Sequence, residues 1–266
     1  DGDTSTKIKQ CMVAHSVIAN DQLKLVHILY RHGDRSPTKT FPGDPHADFW
    51  KKGLGQLTKI GMAQHYRLGQ FFRQRYTNNT KLIPATYNAS EIVIRSTDVD
   101  RTLMSAQANL AGWFPPPNND QFKDGFPWQP IPVHTRPQAE DYELVTFASC
   151  PKAEKALKDK LASPEIQQEE RENHEFYEFV SNKTGVPNEG IASIWEIYDT
   201  FLCEKDHNLT LPQWVTEKWN QTGETIFDKM RKLDATEFTL SSDGPVLRRL
   251  RRSAVEGDDR TYAAVF

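Results

Sequence analysis

Leu23-Lys24-Leu25-Val26-His27-Ile28-Leu29-Tyr30 runs directly into Arg31-His32-Gly33-Asp34-Arg35-Ser36-Pro37. The first stretch is short and apolar and is closed abruptly by charge. That is the pattern of a strand buried in a sheet, with polar groups emerging at its C-terminal end. In open α/β sheets this end faces the ligand crevice. A second run, Glu91-Ile92-Val93-Ile94, ends the same way in Arg95-Ser96-Thr97-Asp98. A helix-like segment follows each. Thr58 to Tyr76 places Met62, Tyr66, Gly69 and Phe72 at helical spacing, expected to face the core. Beyond the second run, Ser96 or Thr97 is expected to cap a helix with Asp98 and Asp100 near its positive end and Val99, Leu103, Ala106 and Leu110 as its apolar stripe. Two strand–loop–helix units predict an α/β sheet.

The chain changes character along its length. Residues 37–56 are rich in Pro, Gly and Asp and read as a loop, and Trp113 to Pro137 is crowded with proline and reads as an irregular link. From Cys150 to about Ala235 the pattern is mostly helical and strongly charged. Residues 1–20 are mixed and polar, with little expected order. Near the other end, Leu247-Arg248-Arg249-Leu250-Arg251-Arg252 precedes an acidic Glu256-Gly257-Asp258-Asp259, which reads as solvated surface. The expected division is an N-terminal extension (1–22), an α/β core (first part, 23–135), an α-rich domain (136–239) and a divergent tail (240–266).

Of 266 residues, 37% are hydrophobic and 26% charged, with a net charge of -3. Such a chain is soluble and globular, with no global electrostatic pull toward nucleic acid or an anionic membrane. No apolar run approaches the roughly 18 residues a membrane helix needs. No basic segment followed by an apolar core opens the sequence, so any signal peptide is expected to have been removed or left out. Sequons begin at Asn78, Asn88, Asn182, Asn208 and Asn220. Five of them favour the secretory pathway and surface glycans. The cysteines are Cys11, Cys150 and Cys203, and in a luminal protein an odd number leaves a thiol unpaired or paired between chains.

The chemistry concentrates at the two strand ends. Arginine presents a planar, permanently charged fork that matches phosphate oxygens in pairs. Arg31, Arg35 and Arg95 around His32 therefore suggest an oxyanion pocket, and phosphate is the oxyanion that fits best. An unprotonated His32 nitrogen can attack phosphorus, and the arginines are expected to lower its pKa by like-charge repulsion. Gly33 leaves room for close backbone approach. Other chemistries lack their motifs. Gly53-Leu54-Gly55 does not have dinucleotide-loop spacing, and neither a P-loop nor a Gly-x-Ser-x-Gly elbow occurs. His174-Glu175 is followed by Glu178 where a zinc protease needs a second histidine. The cluster Glu169, Glu170, Glu172, Glu175 and Glu178 reads as a solvated helix face. No metal and no cofactor is expected.

Arg31 to Pro37, as quoted, is similar to the signature of the histidine acid phosphatase family, and Arg95-Ser96-Thr97-Asp98-Val99-Asp100-Arg101-Thr102 resembles its second phosphate-binding segment. The similarity continues through Gly55-Gln56-Leu57-Thr58, Asn109-Leu110-Ala111-Gly112 and Trp128-Gln129-Pro130-Ile131-Pro132-Val133-His134-Thr135, over roughly residues 23–230, and is greatest to lysosomal and prostatic members. The resemblance implies a doubly wound, phosphoglycerate-mutase-like α/β sheet with a smaller α-rich domain. It implies hydrolysis of phosphomonoesters, phosphoproteins among them, at acid pH through a phosphohistidine and without a metal. By position His32 is the implied nucleophile, and Arg31, Arg35 and Arg95 hold the phosphate. A secreted or lysosomal glycoprotein is the family norm, and homodimers are common.

The family also has a late His-Asp pair whose Asp protonates the leaving alcohol. None of the eight histidines here is followed by Asp, and Asp206-His207 has the reverse order. The proton donor is therefore unassigned; Glu140, Asp141 and Glu143 are the substitutes considered. The resemblance fades after about Asp234, so the chain is expected to lack sheet strands beside the nucleophile strand and the disulfide partners of Cys150 and Cys203. Two alternatives stand beside a phosphatase: a phosphate-binding or regulatory chain that does not turn over, and a mutase-like phosphoryl carrier with another donor.

Overall fold

The computed structural model describes residues 12–19, 22–145, 150–242 and 261–265. The basic run 247–252, the acidic run 256–259 and Cys11 lie outside these residues. The chain divides into two compact units, one of Asp1–Arg35, Leu57–Ala148 and Ser253–Phe266, the other of Ser36–Gln56 and Ser149–Arg252.

The first unit is built on β1 (Met12–Ala19), β2 (Gln22–Tyr30), β3 (Ile92–Ser96) and β4 (Thr261–Val265), in the order β1-β2-β4-β3. β2, β4 and β3 are parallel, and β1 pairs antiparallel with β2. Both apolar runs thus form strands of an α/β sheet. Val26, Ile28 and Tyr30 alternate into one core with Ile92, Ile94, Ala263 and Val265. Leu29, Val93 and Ala264 face the other side and pack with Leu144.

One expectation about the ends of the chain needs correction. Residues 12–19 are a paired strand and not part of a loose extension; Val13, Val17 and Ile18 supply β-branched residues suited to it. At the other end, Thr261–Val265 inserts between β2 and β3, so β2 has a neighbour on each side. Its short apolar centre, Ala263 to Val265, is completely buried.

α1 (Lys59–Phe72) and α2 (Asp100–Trp113) pack against each other. Thr58 caps α1 by accepting from the Gly61 N–H at 3.2 Å, and a π-helical segment, Arg73–Asn79, continues it. The buried ridge of α1 is Gly61, His65, Gly69 and Phe72. Tyr66, expected in the core, is exposed. The helix is rotated because its glycines allow backbone contact: a Cβ on Gly69 would lie 1.9 Å from the Asn109 carbonyl oxygen, and one on Gly112 2.1 Å from that of Tyr66. α2 also departs from expectation. Its N-cap is Val99, which makes no side-chain cap bond, and Asp100 stands in the first turn. Thr97 instead donates its hydroxyl to Thr102 Oγ1 at 3.0 Å.

The second unit is helical, with α3 (Pro151–Leu161), α4 (Pro164–Thr184), α5 (Ile191–Asp206), α6 (Gln213–Thr216) and α7 (Ile226–Ser242). Phe176, Val180, Ile194, Phe201, Val215 and Met230 form its core. Glu172, Glu175 and Glu178 on α4 are exposed. The loop 37–56 belongs to this unit because it is tied to α5 and the segment after it. The Thr38 N–H donates to Asp199 at 3.2 Å, and His46 Nε2 donates to the Thr210 carbonyl at 2.9 Å. Residues 136–145, by contrast, stay with the sheet, where Asp141 and Glu143 pair with Arg95 of β3. No helix among the described residues is long and apolar enough to cross a membrane.

One buried contact of the second unit titrates. Glu204 on α5 is fully buried and stands beside Asp44 of the loop. Burial, reinforced by the neighbouring Asp44 carboxylate, pushes Glu204 up to about 8 from an ordinary 4.5. Between those values the folded chain holds a proton that the unfolded chain has released. Its stabilising contribution is complete below pH 4.5 and is lost as pH rises through 8. Thermal unfolding at pH 5 and pH 8 should give a midpoint lower at pH 8 by roughly 5–10 °C. Glu204→Gln, which keeps the shape without the charge, should remove most of that difference.

Candidate active site

The segment after β2 is held from two sides. From α2, Ser105 Oγ accepts the Gly33 N–H at 3.1 Å and donates to the Arg101 carbonyl at 2.7 Å. From α1 and its cap, Gln64 Oε1 accepts the Asp34 N–H at 2.9 Å, the Thr58 N–H donates to the Asp34 carbonyl at 3.0 Å, and the Thr58 hydroxyl donates to the Asp34 carboxylate. Gly33 does leave room for backbone, and α1 fills it. A Cβ on Gly33 would lie 2.6 Å from the Gly61 carbonyl oxygen, and one on Gly61 2.2 Å from that of Asp34.

His32 is buried, and its Nδ1 lies 2.7 Å from the Gly33 carbonyl oxygen. A carbonyl only accepts, so Nδ1 carries the proton and Nε2 the lone pair. The imidazole is pushed down to about 3, first by burial and then by Arg31, with smaller pushes from Arg101 and Arg35 and an opposing pull from the Gly33 carbonyl. The expected repulsion from arginines is present, but loss of solvent is the larger cause. Behind the segment, fully buried His65 sets its ring 5.5 Å from that of Tyr30, the two planes tilted by 41°. Burial lowers it to about 4 against the pull of the Arg31 and His32 carbonyls. Neither of its ring nitrogens makes a hydrogen bond of normal geometry, so it acts as a neutral wedge under the His32 backbone.

Tyr30 and Ser96 share Val265 as register partner, so β2 and β3 end level, one strand apart. At about 4.8 Å per strand, their ends lie roughly 10 Å from each other. Arg95 near the end of β3 is buried, and both of its terminal nitrogens meet carboxylates. Nη2 is 3.2 Å from each Asp141 oxygen, and Nη1 is 3.0 Å from Glu143 Oε2. The other Glu143 oxygen accepts from Arg136 at 2.8 Å.

The profile of the Histidine phosphatase superfamily (branch 2) matches residues 22–232. The chain belongs to that superfamily. The lysosomal acid phosphatase of Bos taurus is 48% identical over 202 residues, covering 75% of this chain and 47% of that protein. The prostatic acid phosphatase of Homo sapiens is 40% identical over 246 residues, covering 91% and 60%. The chain spans about half the length of the lysosomal relatives it matches. Among solved structures, the phytase of Citrobacter braakii superposes with a TM-score of 0.61 at 16% identity, over 92% of this chain and 72% of that one. A Hafnia alvei phytase in complex with myo-inositol hexakis sulphate gives 0.60 at 17% identity, over 92% and 71%. At such identity these two speak to the fold.

Within this superfamily member, Arg31, Arg35 and Arg101 all act on the charge of His32, whereas Arg95 is held by Asp141 and Glu143. Arg101 was not singled out in the sequence, although it lies in the quoted segment beginning at Arg95. The available signal was its position in the first turn of α2, directly after a strand end. His65 gave no signal, since a histidine amid helical periodicity reads as surface. All five sequon asparagines are exposed. Among the described residues, no group of three or more His, Cys, Asp or Glu side chains is arranged to hold a metal ion.

The backbone contact under Gly33 should tolerate no side chain. Gly61→Ala is expected to lower stability by about 2 kcal/mol or more, measured by urea unfolding, because the atoms in the way are main chain. Asp141→Ala should cost about 3–5 kcal/mol by leaving buried Arg95 without its carboxylate, while Arg136→Ala should stay within about 0.5 kcal/mol.

Proposed function

We propose that this chain carries the phosphate-binding and nucleophilic half of an acid phosphomonoesterase, with His32 as the phosphate acceptor and Arg31, Arg35 and Arg95 as phosphate ligands. The observation that carries the proposal is the state of His32. It is a neutral imidazole whose Nδ1 proton goes to the Gly33 carbonyl, which leaves Nε2 as the unprotonated nitrogen, and its charge state is further set by Arg31, Arg101 and Arg35. Arg101 joins the ligands on the same ground.

In the reaction, the Nε2 lone pair forms the N–P bond as the ester P–O bond breaks. The arginines stabilise charge on the non-bridging oxygens, the main requirement of phosphoryl transfer. The leaving oxygen departs with the bonding pair and takes up a proton. Water then attacks phosphorus, the N–P bond breaks, and phosphate and free His32 are restored. No metal or cofactor enters these steps.

The donor of the leaving-group proton is unassigned, because the sequence holds no His-Asp pair. Loss of a general acid costs about 10²–10⁴ in rate, and the cost falls on esters with poor leaving groups. Aryl phosphates are the substrates on which the chain acts best. A second reading is a chain that binds phosphate or accepts a phosphoryl group at His32 but completes turnover poorly and serves as a binding or regulatory protein.

The wider setting belongs to the proposal. Exposed sequons at Asn78, Asn88, Asn182, Asn208 and Asn220, with relatives named lysosomal and prostatic, support a glycoprotein of the secretory pathway, lysosomal or secreted. Small phosphomonoesters and phosphoproteins are the proposed substrates, and a homodimer the proposed assembly.

An aryl phosphate supplied at pH 5 should release phosphate, and His32→Ala should abolish the release. Because His32 is a free base above about pH 3, kcat/KM should show no loss from protonation of the nucleophile until pH approaches 3. Rapid quenching should trap an acid-labile phosphohistidine on wild-type chain. A labelled chain that releases phosphate slowly supports the second reading; a folded chain that neither labels nor hydrolyses overturns both.

A further inference from the structure

Arg95 meets two carboxylates, and they are held in unlike ways. Asp141 has a side chain with no exposure, and it meets Arg95 Nη2 with both oxygens. It also accepts the Leu144 N–H at 3.1 Å. Taking Asp141 away would strand a buried charge, so it is the permanent holder of the guanidinium. Glu143 is different. Its side chain is 31% exposed, one oxygen meets Arg95 Nη1, and its second oxygen lies 2.8 Å from Nη1 of Arg136, which is 49% exposed. Glu143 therefore has water and a second cation to turn to without leaving any charge buried and uncompensated.

We propose that Glu143 is a built-in competitor for phosphate at Arg95, a carboxylate that the incoming phosphoryl group displaces from Nη1 while Asp141 keeps Nη2. The inference rests on the reading of Arg95 as a phosphate ligand. A carboxylate oxygen and a phosphate oxygen make the same charge-assisted bond to a guanidinium nitrogen, so the two cannot both occupy Nη1 at full strength. Displaced, Glu143 stays on Arg136, and that alternative contact lowers the cost of clearing the site. Arg136 is thus a positioning residue, acting through Glu143. The pair sets how much anion is needed to occupy the pocket and raises the threshold for weakly bound anions.

The test is the affinity for inorganic phosphate, measured by calorimetry on the whole chain at fixed pH and ionic strength. Glu143→Gln, which removes the charge and keeps the shape, should bind phosphate about fivefold more tightly, the scale of one partly exposed ion pair. Glu143→Ala should shift in the same direction, so that either variant reports if the other folds poorly. Arg136→Ala should weaken phosphate binding about twofold to threefold by returning Glu143 to Arg95. It should have no effect in the Glu143→Gln background, a dependence that a merely structural Arg136 would not show. Unchanged or weaker binding in both Glu143 variants, with Arg95→Ala still impairing binding, overturns the competitor and leaves Arg95 as a phosphate ligand. Phosphate binding untouched by Arg95→Ala overturns the ligand assignment and the competitor with it.

Discussion

The main chain of α1 lies directly on the main chain that carries His32, with Gly61 against Gly33 and Asp34 and no side chain between them. This contact orients the segment after β2. With the Gly33 N–H taken by Ser105 and the Asp34 N–H by Gln64, the Gly33 carbonyl receives Nδ1 of His32. A tautomer at the proposed reacting atom is thus selected by the packing of a helix. Gly69 and Gly112 extend the same close approach into the α1–α2 pair, so α2, which supplies Ser105 and Arg101, is registered against α1 by backbone contacts that bulkier residues would not permit.

Burial and charge then divide the work at the strand ends. Desolvation is the largest influence on His32, and the arginines add to it. The same low-dielectric surroundings that keep the imidazole neutral strengthen each arginine's hold on an anion. Arg95 is stabilised differently, by a carboxylate that is itself buried. A guanidinium placed there needs a permanent counter-charge to fold, and the proposed role of Arg95 as a phosphate ligand needs an end left for that ligand. Two carboxylates of unequal burial reconcile these demands.

How much of this was legible in the sequence follows from the range of the interactions. β2 and β3 were readable because an apolar run closed by charge is a local pattern, and the segments Arg31 to Arg35 and Arg95 to Thr102 carried the superfamily resemblance in consecutive residues. β4 was not. Its five residues follow a strongly charged stretch, and only pairing with β2 and β3, far away in sequence, makes them a strand. The buried face of α1 runs against its apolar signal: apolarity points to Met62 and Tyr66, whereas the closest approach is made by glycines, which carry no hydrophobic signal. The Asp141 and Glu143 contacts to Arg95 span 46 and 48 residues, and no local pattern announces a pairing of that range.

The two titrating groups argue in one direction although they sit in different units. Glu204 holds a proton through the mildly acidic range, and its contribution to stability fades toward pH 8. His32 refuses a proton through the same range because it is buried among cations. A carboxyl that stays neutral and an imidazole that stays neutral have opposite shifts and one cause, the exclusion of water from a charged form. Below about pH 4.5 the Glu204 contribution to the helical unit is complete, and it declines from there toward pH 8, while the imidazole keeps its lone pair throughout. A neutral compartment would preserve the nucleophile while eroding the fold that the Asp44–Glu204 contact supports. The imidazole therefore sets no requirement for acid conditions above about pH 3, and of the two groups it is the buried Glu204 carboxyl that makes stability fall as pH rises.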